Sequence, residues 1–269
     1  DSFTVGPWLV DEEVYSSTFS KHLSETTNHC VASMRLATHA TGTQQQYARF
    51  LDTVEQLHPD LVIWQLYYND TFDDEEYNLF DIQNGQLVRH KLWLHPIIWA
   101  GKLNQLHPFI PTTSLGKYIL YVGQTKDLFR VRESWDDEVH TETEKILDSI
   151  DQLASRYHFQ WFTTLAPLEC ELTDIQCDEN TKRQESLRKI LLKRDNFLSM
   201  YEPSLLASST ASVAGITTDH DSWFNRVEDP APPGNRHLSK EGNQMTGEIL
   251  FQNYELTATK SATVSGEAK

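Results

Sequence analysis

Leu61-Val62-Ile63-Trp64-Gln65-Leu66-Tyr67-Tyr68 is a nearly continuous apolar run, rich in β-branched and aromatic residues and too short for a typical helix. It reads as a buried parallel strand. Before it, residues 43–57 place Tyr47, Phe50, Leu51, Val54 and Leu57 at i, i+3, i+4 and i+7, the stripe of an amphipathic helix. His58-Pro59-Asp60 ends that helix, because the residue before a proline resists the helical region. The same order returns later. Residues 142–157 carry Ile146, Leu147, Ile150, Leu153 and Ala154 on one helical face, and Phe159-Gln160-Trp161-Phe162-Thr163-Thr164-Leu165 follows as a strand. Helix then strand, twice, predicts an α/β fold with a parallel sheet and crossover helices.

Outward from this centre, residues 12–24 have Val14, Tyr15, Phe19 and Leu23 near helical spacing. Residues 178–200 and 238–254 read as further helices, and 257–269 as a flexible polar tail. The stretch from about 74 to 136 is long and irregular, broken by Gly85, Pro96, Pro108, Pro111 and Gly116. An insertion of this length is more often a functional lid or cap than a plain connection. Trp93 and Trp99 within it are read as packing under that lid. No internal repeat is visible. Residues 1–256 are therefore expected to form one domain carrying the insertion.

Composition narrows the function classes. The 269 residues include 23 Lys+Arg against 39 Asp+Glu, a formal charge of −16. Nucleic acid and anionic lipid are thereby excluded as main partners, since both require clustered cations. No stretch approaches the roughly 18 apolar residues of a membrane span. Hydrophobic residues make up 39%, enough to bury a full core. Cys30, Cys170 and Cys177 form no CxxC pair, which argues against zinc. Cys170 and Cys177 either bridge a loop in an oxidising compartment or stay unlinked. The sequence begins at Asp1 without Met, so upstream residues, with any signal peptide, are expected.

Singly, the candidate site residues have ordinary explanations. Ser2 in a short polar turn suits a cap, Asn69-Asp70 suits the turn that ends a strand, and His237 precedes a helix whose natural cap is Ser239. Their placement gives them more weight. Parallel-sheet proteins put their chemistry at the carboxyl ends of strands. Asn69 follows the strand at 61–68, and His237 opens the last helix. Ser2 falls at a strand end if upstream residues supply a first strand. Together they offer a nucleophile, an amide donor and a general base, the requirements of acyl transfer.

The opening Asp1-Ser2-Phe3-Thr4-Val5-Gly6 resembles the Gly-Asp-Ser-Phe-Thr-x-Gly block of the SGNH (GDSL) hydrolases, without its leading glycine. Thr41-Gly42-Thr43-Gln44-Gln45-Gln46-Tyr47 is similar to the second block of that family. His58-Pro59-Asp60-Leu61-Val62-Ile63 with Asn69-Asp70 resembles the third, and His237-Leu238-Ser239-Lys240-Glu241-Gly242-Asn243 the last. The resemblance implies a three-layer α/β/α flavodoxin-like SGNH hydrolase fold, with a parallel sheet and a long insertion after the Asn-Asp block. It also implies a serine esterase without a cofactor or metal. Ser2 would be the nucleophile and, through its backbone N–H, one oxyanion donor. Asn69 would supply a side-chain donor and His237 the general base.

The departures from that pattern are specific. The second-block glycine, whose N–H serves the oxyanion, aligns with Ala40, which keeps an N–H. Tyr67 stands where a glycine usually precedes the asparagine by two residues. Gly234 replaces the aspartate three residues before the histidine. Asp229 is the favoured acidic partner, Glu228 its near equal, and the remaining option is a Ser2–His237 dyad. The implied substrate is a small ester or an acylated carbohydrate, with acetyl the expected group and hydrolysis or transfer both open. Relatives of this kind are often exported. The alternative is a degenerate SGNH-like protein that binds carbohydrate or assists assembly. On this resemblance the strand before Ser2 belongs to the middle of the sheet, and a chain lacking it is expected to be poorly stable. A nucleotide- or flavin-binding domain ranks lower, because no strand is followed by a Gly-rich phosphate loop. Asp73-Asp74-Glu75-Glu76 and Asp136-Asp137-Glu138 read as solvated faces, and the histidines show no metal-type spacing.

Overall fold

The computed structural model describes residues 2–6, 9–38, 41–71, 74, 79–89, 135–172, 180–200, 224 and 236–266. In chain order the helices are α1 (Ser2–Val5), α2 (Tyr15–Thr27), α3 (Thr43–Leu57), α4 (Trp135–Tyr157), α5 (Glu169–Leu172), α6 (Asn180–Leu191) and α7 (Lys240–Gly266). The strands are β1 (Leu61–Leu66), β2 (Phe80–Gln83), β3 (Gln86–Arg89) and β4 (Gln160–Leu165).

The centre is the parallel pair β1–β4, in register from Leu61 opposite Gln160 to Leu66 opposite Leu165. Beyond β4 the chain at 196–198 lies parallel to it: Thr163 donates its N–H to the Asn196 carbonyl at 2.9 Å and accepts that of Leu198 at 2.8 Å. The other edge of β1 has no partner strand among the described residues. Side chains alternate across this pair, as the pleat requires. Val62, Trp64, Leu66, Trp161 and Leu165 face one apolar cluster, built with Tyr47, Phe50 and Val54 of α3, Ile146, Leu147 and Ile150 of α4, and Leu187 and Leu191 of α6. Leu61, Ile63 and Phe162 face the other, with Tyr15 and Phe19 of α2 and Met245, Ile249 and Leu250 of α7. Helices thus cover both faces of a mixed α/β structure, which is why an almost unbroken apolar run is tolerated in β1.

Several boundaries depart from the periodicity, each for a physical reason. α2 begins at Tyr15 because Asp11–Glu13 form a 3-10 turn and Val14 is extended. α6 stops at Leu191, after which the chain turns to pair beside β4. β2 and β3 form an antiparallel hairpin through Asn84-Gly85 inside the expected insertion. α7 continues to Gly266, through most of the expected tail. No helix among the described residues is long and apolar enough to cross a membrane. Cys170 is disulfide-bonded and Cys30 is free and exposed, whereas Cys177 lies outside the described residues.

Candidate functional site

The candidate residues lie on three segments: α1, the turn after β1 and the stretch leading into α7. Ser2 is the first residue of α1. Two residues on, Thr4 donates its hydroxyl to Gln65 Oε1 of β1 at 2.6 Å and, having spent its only hydrogen there, accepts from the Tyr15 phenol at 2.9 Å. Gln65 passes the chain on, donating to the Leu66 carbonyl at 2.9 Å. This short polar run threads a buried region: Gln65 and Tyr15 are both nearly inaccessible. Burial pushes the Tyr15 phenol up to about 12, against smaller opposing effects of Thr4 and of the Arg35 charge. α1 is also held from outside, because the Arg35 guanidinium donates to the Val5 carbonyl at 2.8 Å and pairs with Asp11.

Asn69 sits in the turn immediately after β1. The turn is closed by Asp70, whose backbone N–H donates to the Tyr67 carbonyl at 3.1 Å and whose Oδ2 accepts the Tyr67 N–H at 2.9 Å. Asp70 is fully buried. The Asn69 amide is half-buried, and its Oδ1 is buried without a hydrogen-bond partner. Around the turn lies a polar network. Gln44 Oε1 accepts from the backbone N–H groups of Leu79 and Phe80, its Nε2 donates to Glu142 Oε2 at 2.8 Å, and its own backbone N–H donates to Asp74 Oδ1 at 2.7 Å.

His237 lies half-buried between Arg236 and Leu238, just before α7. Ser239 caps that helix, its Oγ accepting the Gly242 N–H at 3.1 Å. Asn243 fixes the helix start to its surroundings: Nδ2 donates to the carbonyls of Leu238 and Ser239, and Oδ1 accepts the Tyr15 N–H at 3.1 Å. One asparagine side chain thus caps α2 while belonging to α7. Leu238 and Tyr67 share one apolar cluster with Ala166 and Leu168, which follow β4. Arg236 donates to Glu169 Oε1 at 3.2 Å, and the Glu169 side chain is fully buried.

Thr4 of α1 is thus bonded to β1, Asn69 lies in the turn after β1, and Leu238, the neighbour of His237, shares an apolar cluster with Tyr67. Ala40 and Asp229, like Glu228 and Gly234, lie outside the described residues. Sequence reading missed the roles of Asn243 and of the Arg236–Glu169 pair, neither of which has a local signal, whereas the turn at Asn69-Asp70 was read from the sequence. The described residues contain no group of three or more His, Cys, Asp or Glu placed to hold a metal. A cavity of about 510 Å³ between α3, the β2–β3 hairpin and α4 shares no lining residue with Ser2, Asn69 or His237. No family model, curated protein or solved structure matches the chain.

Proposed function

We propose that this chain is a serine esterase of the SGNH (GDSL) type, acting on a small O-acyl group such as acetyl on a carbohydrate. The observation that carries this reading is the hydrogen-bonded chain that joins α1 to β1 and, through Tyr15, to α7: Thr4–Gln65, Thr4–Tyr15 and Tyr15–Asn243. The order of the four sequence blocks supports it, and so does the two-sided helical cover of a parallel pair. On this reading the fold is the flavodoxin-like one of that family.

The chemistry follows from these roles. Ser2 Oγ attacks the acyl carbonyl while His237 takes its proton, and the electron pair of the C=O bond moves to oxygen. The backbone N–H groups of Ser2 and Ala40 and the Asn69 amide receive that oxyanion. Collapse expels the alcohol, which takes the proton back from His237 and leaves an acyl-Ser2 ester. Water then attacks in the hydrolase, or a second hydroxyl in a transferase, and His237 again moves the proton. Asp229 is the favoured residue to orient the imidazole. The acetyl-sugar assignment rests on resemblance alone.

The test is hydrolysis of 4-nitrophenyl acetate by the chain, beside Ser2→Ala and His237→Ala. Each substitution is expected to lower kcat by about a thousandfold or more, because the members of such a unit fail together. Asn69→Ala is expected to cost about a hundredfold, the value of one oxyanion donor. Hydrolysis that survives both Ser2→Ala and His237→Ala overturns the reading. A second reading, a catalytically degenerate binding or assembly protein, is favoured by Gly234 in the position of the usual acid. It requires that acylated sugar bind without turnover.

A further inference from the structure

We propose that Gln46 is a positioning residue that ties the turn carrying the oxyanion donor Asn69 to the segment leading into α3; this inference rests on the esterase reading above. The Gln46 side-chain NH2 group has two hydrogens. It donates to the Thr41 carbonyl at 3.1 Å and to Asp70 Oδ1 at 3.2 Å. Thr41 follows Ala40 directly, and Asp70 follows Asn69 directly. A single amide thus bridges the Thr41 backbone and the turn that would supply the Asn69 side chain.

Three contacts keep that bridge stiff. Asp70 is fully buried, and its second oxygen accepts the Tyr67 N–H at 2.9 Å, so its carboxylate is fixed to the turn it serves. Gly42 lies directly against this turn: a Cβ there would sit 2.4 Å from the Asp70 carbonyl oxygen and 2.4 Å from Asp74 Oδ1. The two backbones therefore touch with no side chain between them, which only glycine permits. Gln46 itself stands in the first turn of α3, where its N–H donates to the Gly42 carbonyl at 3.1 Å. Oxyanion donors work by being in place before charge develops. A displacement of about 1 Å at such a site costs roughly a hundredfold in rate.

The experiment replaces Gln46 by methionine, of similar length but with no donor, and measures exchange and turnover on the full chain. Backbone deuterium exchange at Tyr67 in Gln46→Met is expected to accelerate about tenfold, since the carboxylate that receives this N–H has lost its tether. kcat for 4-nitrophenyl acetate is expected to fall between about tenfold and a hundredfold with KM changed less than about twofold. In an Asn69→Ala background the same substitution is expected to do less than about twofold, because the donor it positions is already gone. Gly42→Ala, which forces the two segments apart by a different route, is expected to reproduce the kcat loss if Gln46→Met does not fold. Unchanged exchange at Tyr67 overturns the bridge. Ser2-dependent hydrolysis with undiminished kcat in Gln46→Met, or full additivity with Asn69→Ala, overturns the positioning role alone. Hydrolysis that persists in Ser2→Ala overturns the esterase reading and the role built on it together.

Discussion

Tyr15 is the residue on which most of the candidate site hangs. Its ring is buried at 3% exposure among α2 and α7, its phenol meets Thr4, and its backbone N–H meets Asn243. Burial raises its pKa from 10.0 to about 12. A raised value means that the neutral phenol is favoured in the folded state. The corresponding stability is complete below about pH 10 and is lost as pH climbs toward 12, amounting to about 3 kcal/mol. Urea unfolding should therefore show constant stability up to about pH 9 and a steep fall beyond 10. Tyr15→Phe should flatten that fall, leaving the part due to Tyr47, which burial also raises. Equal alkaline slopes in the two proteins would refute the assignment. Tyr15 was visible in the sequence only as one apolar position of a helical stripe, because its partners lie 11 and 228 residues away.

The contact between α2 and α7 depends on a glycine. A Cβ at Gly247 would lie 2.6 Å from the Tyr15 carbonyl oxygen and 2.6 Å from Thr18 Cβ. Two effects of Gly247→Ala compete. Alanine improves intrinsic helix stability by about 1 kcal/mol. Overpacking against a backbone oxygen costs about 1–3 kcal/mol, and a backbone atom cannot rotate away. The packing cost should win, lowering the melting midpoint by a few degrees, and a variant more stable than wild type would show that the helices can separate freely. Element boundaries divide along the same line. α3 ends where the sequence reading puts it, since His58 before Pro59 takes a left-handed conformation with φ 43°. The start of α2 was set instead by a cap from α7, and the end of α6 by pairing with β4, neither of which has a local signal. The length of α7 was legible after all: nothing from Glu248 to Ser265 is Gly or Pro, and a started helix propagates cheaply.

Across the molecule the charge of −16 sets a net self-repulsion. Its opponents are exposed ion pairs such as Arg89–Asp52 at 2.8 Å and Lys240–Glu13 at 2.9 Å. The first holds the Asp52 carboxyl below its ordinary value by hydrogen bonding, and the second does the same to Glu13. Pairs this exposed contribute little, because solvent screens them and holding two long side chains together costs entropy. General repulsion should therefore outweigh them, so about 0.5 M NaCl, which screens both within about 4 Å, should raise the melting midpoint. A lower midpoint in salt would mean that the pairs dominate.

The α/β class of this protein was legible from local sequence alone. Hydrophobic period and run length are local properties, and they are enough to specify two helix–strand units, a parallel pairing and the strand end at Asn69. The resemblance of the sequence blocks, not their periodicity, singles out Ser2 and His237. Long-range contacts alone set how Asn243 caps a helix it does not belong to and how Gln46 and Gly42 bind one loop to another. These arrangements rest on hydrogen bonds and close approaches between residues distant in sequence. A glutamine, an asparagine or a glycine looks the same in the sequence whether it faces solvent or joins two segments of a buried network.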